Sequence, residues 1–169
     1  MPERLRRYVC SAALRALCGL ALLSGCALPP LQPGMTEAQV LRSWGAPSGR
    51  HALPDGGTRL EYPSGPYGKV TWMVDLDVQG RYQRAEQVLD EAHFLKVTLG
   101  MSGAEVLRLL GRPADRLVDF RRRQTWYWRY ENMLCQWFGV TFSPQGIVIE
   151  GGHYPIDPIC EPREPPRWR

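Results

Sequence analysis

A segment near the start of the chain returns 66 residues later, and this duplication limits the fold more than any other feature. Pro33-Gly34-Met35-Thr36-Glu37-Ala38-Gln39-Val40-Leu41-Arg42-Ser43-Trp44-Gly45-Ala46-Pro47 is matched by Leu99-Gly100-Met101-Ser102-Gly103-Ala104-Glu105-Val106-Leu107-Arg108-Leu109-Leu110-Gly111-Arg112-Pro113. Gly, Met, Ala, Val, Leu, Arg, Gly and Pro recur in place, and Thr36 becomes Ser102. The same shift carries Val74 onto Val140 and Gln79-Gly80 onto Gln145-Gly146. Ungapped self-similarity marks two copies of one structural unit, here at residues 33–89 and 90–160.

The motif has the physics of a short helix. Thr36 and Ser102 are N-cap residues whose hydroxyls accept a free first-turn N–H, and Gln39 and Glu105 complete capping boxes. Val40, Leu41 and Trp44, like Val106, Leu107 and Leu110, fall on one face at helical spacing. Gly45 and Gly111 supply a left-handed stop, and the proline two residues on blocks a restart. Val40 and Val106 are expected to be buried equivalently.

Strand signals follow each motif. Residues 58–62 and 124–130 read as first strands, the latter alternating Trp126, Trp128 and Tyr130 against Tyr127 and Arg129. Residues 69–77 and 134–142 are second strands, turns at 77–80 and 143–146 end in Gly, and 81–89 and 147–154 are third strands. Residues 90–97 read as a brief helix before the second motif; residues 27–32, with Pro29 and Pro30, leave no room for one before the first. The expected fold is α+β: two tandem units of one or two helices followed by a three-stranded antiparallel sheet, stacked or merged because neither buries much alone.

The N-terminus has its own logic. Arg4, Arg6 and Arg7 precede an apolar stretch interrupted by Arg15, the layout of a secretory signal. Its uninterrupted part, residues 16–23, is far short of the ~20 residues of a spanning helix. Leu23-Ser24-Gly25-Cys26 then resembles a lipoprotein signal-peptidase site, whose cysteine thiol takes diacylglycerol. Residues 1–25 are thus expected to be removed, lipidated Cys26 to open a short linker at 26–32, and residues 161–169 to be a disordered tail. With Ala27 rather than Asp after Cys26, sorting to the outer membrane, facing the periplasm, is expected. Two or more acyl chains anchor a protein stably where one does not.

Removing the signal lowers the net charge from +4 to +1, because Arg4, Arg6, Arg7 and Arg15 leave with only Glu3. No global basic field remains to suggest nucleic acid. Of the five cysteines, Cys10 and Cys18 go with the signal and Cys26 is lipidated. Cys135 and Cys160 remain, an even pair suited to a disulfide in an oxidising compartment. Such a bridge is worth roughly 3–4 kcal/mol; the alternative is one buried and one unpaired thiol.

The lipobox, the Gly-Met-Thr/Ser…Val…Gly-x-Pro helix, the aromatic Trp126-Tyr127-Trp128 strand and the Phe142…Gly146 hairpin resemble the SmpA/OmlA family of small outer-membrane lipoproteins. That BamE-like resemblance implies a helical pair on a three-stranded antiparallel sheet and a role in outer-membrane assembly. The tandem arrangement is also similar to the beta-lactamase inhibitor protein, which doubles a similar unit and binds its partner on a concave sheet. Together the resemblances cover most of residues 33–154. Members of the assembly machinery mostly carry a single copy, whereas this chain has two plus a Cys-containing tail, and no partner-contact residue of the family transfers.

Signals for chemistry are sparse. His51, His93 and His153 lie in separate elements without metal-ligand spacing, no nucleophile elbow or phosphate loop occurs, and Asp75 and Asp77 read as solvated strand carboxylates. No catalytic residue, metal or cofactor is implied, and an enzyme is not expected. Arg112, Arg116, Arg121, Arg122 and Arg123 crowd the segment after the second motif; Arg121, Arg122 and Arg123 are candidates for anionic lipid or lipopolysaccharide, against a solvated loop. The aromatics from Trp126 to Phe138 are too many for one sheet face, so some must face outward, as at protein interfaces. The expectation is a non-enzymatic envelope lipoprotein that binds a protein or supports outer-membrane assembly. Its alternatives are an inhibitor-type protein that captures a soluble enzyme, or an anionic-lipid-binding module.

Overall fold

The computed structural model describes residues 28–160; the expected signal segment, Cys26 and the tail at 161–169 lie outside them. Residues 28–30 are exposed and carry no regular structure. Residues 31–160 belong to one compact unit. No helix of the described residues is long and apolar enough to cross a membrane.

In chain order the elements are α1 (Glu37–Trp44), β1 (Gly49–Ala52), β2 (Thr58–Pro63), β3 (Thr71–Leu76), β4 (Tyr82–Gln87), α2 (Glu91–Phe94), α3 (Gly103–Leu110), β5 (Asp115–Val118), β6 (Gln124–Arg129), β7 (Trp137–Phe142) and β8 (Val148–His153). The 66-residue shift carries α1 onto α3 and β1–β4 onto β5–β8 with identical bounds. Only α2 has no counterpart among the described residues. Both motif helices begin with a capping box: Gln39 and Glu105 donate N–H to the Thr36 and Ser102 hydroxyls and accept the cap N–H in return. Each box is worth about 1 kcal/mol. Gly45 and Gly111 end the helices at φ 84° and 77°. Their ψ values of −170° and −168° put them in an extended, glycine-only region rather than the expected left-handed one. Val40 and Val106 are both fully buried.

The expected three-stranded unit is not what forms. Each copy builds a four-stranded antiparallel meander, β1-β2-β3-β4 in sheet 1 and β5-β6-β7-β8 in sheet 2. The result is a β-rich fold with three short helices among the described residues, not a BamE-like helix-and-three-strand α+β unit. The added strands, β1 and β5, are edge strands of four residues. They are held by backbone pairing, Gly49 opposite Glu61 and Asp115 opposite Tyr127, and not by an apolar face.

The two copies share a core. Val40 of α1 packs on Leu60, Val74 and Leu76 on one face of sheet 1. Met73, Val88 and Leu89 of the first copy instead join Phe94, Val106, Leu110, Trp126, Trp128, Phe138, Val140 and Phe142 in the larger cluster. The layers therefore run α1, sheet 1, α2 with α3, sheet 2. A lone small sheet under one short helix is marginal; here the middle helices fill the space between two sheets. Cys135 and Cys160 are disulfide-bonded with Cα atoms 6.4 Å apart, inside the range a bridge requires. Cys135 does not open a strand as expected: β7 starts at Trp137, and Cys135 sits in the preceding loop at φ 51°.

Candidate functional site

The face of sheet 1 that meets α3 is polar, which is unusual for a buried surface. Arg59 and Asp75 pair across β2 and β3, with Nε–Oδ1 2.6 Å and Nη2–Oδ2 2.8 Å. Arg59 also donates to Glu86 at 3.0 Å and to the Arg108 carbonyl near the end of α3 at 3.1 Å. Arg84 donates to Asp75 at 2.9 Å. Next along β2, Glu61 accepts the Arg112 N–H at 2.8 Å and contacts His51 Nε2 at 3.0 Å. Burial alone would raise the Asp75 carboxyl, but the Arg59 and Arg84 guanidiniums outweigh it and hold the group below its ordinary value. Burial likewise opposes the Arg59 charge, and Asp75 with Glu86 more than restores it. This cluster locks the second copy's helix onto the first copy's sheet. Its groups are engaged with one another, which is the chemistry of a clamp.

The equivalent face of sheet 2 has no helix over it among the described residues. The shift places Thr125 where sheet 1 has Arg59, Tyr127 for Glu61, Trp137 for Thr71, Gly139 for Met73 and Thr141 for Asp75. Tyr127 lies edge-on to Trp137 at 5.9 Å and to His153 at 5.5 Å. Gly139 lets this happen, since a Cβ there would strike the His153 ring. Leu117 at the rim is 54% exposed. One end of the face is closed by the tail: Asp157 accepts from Arg129 at 2.9 Å and its N–H donates to the Cys135 carbonyl at 2.7 Å. Burial opposes the Asp157 charge, but the Ile159 N–H and Arg129 keep its carboxyl below the ordinary value.

No protein-family model matches the chain, and no curated protein matches it. Among solved structures, it is similar to an extracellular protein containing an SCP domain from Bacillus anthracis str. Ames. The identity is 11% and the TM-score 0.29, over 73% of this chain and 44% of that one. This chain thus spans less than half of that protein's length, and the likeness is too slight to carry an argument about fold or activity.

The arginines do not form the loop expected between helix and first strand. Arg116 lies in β5 with its guanidinium 4.1 Å from the Trp126 ring centre. Arg121, Arg122 and Arg123 form the tight β5–β6 turn together with Phe120. Arg123 is bound to Asp119 at 2.7 Å, while Arg121 and Arg122 are exposed. Arg112 belongs to the seam through its backbone. His93 is buried, with Nδ1 2.7 Å from Asp90 and Nε2 3.7 Å from Glu86. Among the described residues no group of three or more His, Cys, Asp or Glu is placed to hold a metal. Sequence reasoning missed the seam clamp. Its only signal was the charge of Arg59, Glu61 and Asp75 at every second position of strands otherwise apolar on the opposite face.

Proposed function

We propose that the chain is a non-enzymatic lipoprotein of the outer membrane, anchored at Cys26 and facing the periplasm, that binds a protein through the bare face of sheet 2. The observation that carries this reading is the asymmetry between the copies. Sheet 1 is covered on both faces, by α1 and α3, whereas sheet 2 offers exposed Leu117 and half-buried Tyr127 and Trp137 on a face with no helix over it among the described residues and only its end closed by the tail. In stacked repeats, each unit's face is completed by the next. The last face is either made polar as a cap or kept for a partner, and aromatic groups flanked by an Arg are what protein interfaces favour. The lipobox supports the location, and the helix motif's resemblance to envelope lipoproteins supports the class.

A photocrosslinking amino acid at position 117 or 127, in cells, tests this. The expected result is one adduct of defined mass at both positions and none at exposed Ala38 on α1. Equal labelling at Ala38, or no adduct on the sheet 2 face of the folded protein, contradicts it.

A further inference from the structure

The same turn is built twice, and the two versions differ most at the exposed tip. In the first copy the β1–β2 turn reads Leu53-Pro54-Asp55-Gly56-Gly57, with Gly56 at φ 86°. In the second, the β5–β6 turn reads Asp119-Phe120-Arg121-Arg122-Arg123, with Arg122 at φ 61° in the position of Gly56. Pro-Asp-Gly suits such a turn by pre-set φ, a side-chain bond to the backbone and freedom at positive φ. Phe-Arg-Arg gives up the pre-set φ and the glycine; the side-chain bond to the backbone passes to Asp119, which accepts the Arg121 and Arg123 N–H groups, and Arg122 takes a conformation that a residue with a Cβ adopts at a cost. In return the tip carries Phe120, 88% exposed, beside Leu117 and Val118, at 54% and 66%, with the exposed Arg121, its guanidinium 5.2 Å from the Phe120 ring centre, and the exposed Arg122. An apolar wedge ringed by cations is the complement of an anionic bilayer surface, where the ring enters the interface and guanidiniums meet phosphates.

The topology turns this tip toward the anchor. Along α3, Gly103 meets Trp126 and Gly111 accepts from Trp128, while Arg59 reaches Arg108 and Glu61 reaches Arg112. Strands β2 and β6 therefore run in the same sense along one helix, and the turns that precede them point to the same end of the molecule. The chain comes into α1 at that end too, because the Glu37 N–H donates to the Gly80 carbonyl, beside the pairing of Thr58 with Leu76. Five residues from Cys26 to Leu31 reach roughly 18 Å at most, so a lipid on Cys26 keeps this end near the membrane.

We propose that the β5–β6 tip is a second membrane contact, with Phe120 inserted among lipid headgroups and Arg121 and Arg122 bound to phosphates of anionic phospholipid; this rests on Cys26 being lipidated. The test exchanges the tip for its own counterpart, F120P/R121D/R122G, a sequence this fold already uses at that turn. The full lipidated chain carries an environment-sensitive dye on Val118→Cys and is mixed with vesicles of phosphatidylcholine alone or with phosphatidylglycerol. The expected result is a blue shift of the dye with phosphatidylglycerol only, reversed at 0.5 M salt and lost in the exchanged variant, whose thermal stability is unchanged or higher. Protein that floats with vesicles while the dye stays in water, or an equal shift in the exchanged variant, overturns the tip contact and leaves the anchor standing. Protein that does not float and takes no fatty-acid label at Cys26 overturns the anchor and the tip contact together.

Discussion

Asp75 accepts from Arg59 through both oxygens and from Arg84 through one, in a seam where its side chain is nearly sealed from water. Removing one partner of a buried pair strands the other, which costs about 3 kcal/mol or more. Asp75→Asn should therefore lower stability by about 3 kcal/mol at pH 7, measured by urea unfolding. Because the folded carboxyl lies below its ordinary value of 3.8, its contribution is complete above about pH 4 and is lost as the pH falls through the folded value. Acidification from pH 5 to pH 3 should thus destabilise the native chain more than the Asn variant. An equal loss in both would remove Asp75 from the account. The sequence showed Asp75 and Asp77 on one strand face, which read as solvated. Asp77 indeed lies at a turn, accepting the Gln79 and Arg81 N–H groups, but Asp75 is buried. Nothing in a single chain's alternation tells which face another copy will cover.

Elements with an apolar face, and the strands β4 and β8 that follow glycine turns, were legible; the edge strands β1 and β5 were not. Helices α1 and α3 could be placed from cap, face and stop, and β2, β3, β6 and β7 from aromatic and β-branched alternation. The four residues of β5 are all exposed, so no period-2 burial pattern marks them. They pair because β6 offers an open edge, and the arginines around them suggested a loop instead. The tail was legible by composition and cysteine count. Its bridge, with the Trp137–Pro155 and Asp157–Cys135 backbone bonds, fixes a segment that has no regular structure to hold it. Cys135→Ser and Cys160→Ser should each lower the melting temperature, by an amount corresponding to about 3 kcal/mol. The double variant should be no worse than either single. A double variant clearly less stable than both singles would mean that the thiols act separately.

At the scale of the whole molecule, duplication was legible from a fifteen-residue segment in which eight residues recur in place, and the structure extends it to every strand. How the copies stack was not legible, since the clamp depends on residues that the repeat does not share: Arg59 and Glu61 are Thr125 and Tyr127 in the second copy. That divergence separates a face that receives a helix from one left open. Both proposed contacts, the protein on sheet 2 and the lipid at the β5–β6 tip, presuppose a molecule held at a membrane by one modified thiol. Labelling cells with a clickable fatty acid, comparing the native chain with Cys26→Ala, tests that most directly. The account predicts a labelled, shortened protein for the native chain and an unlabelled, full-length precursor for the variant. Equal labelling and equal length for the two would contradict it.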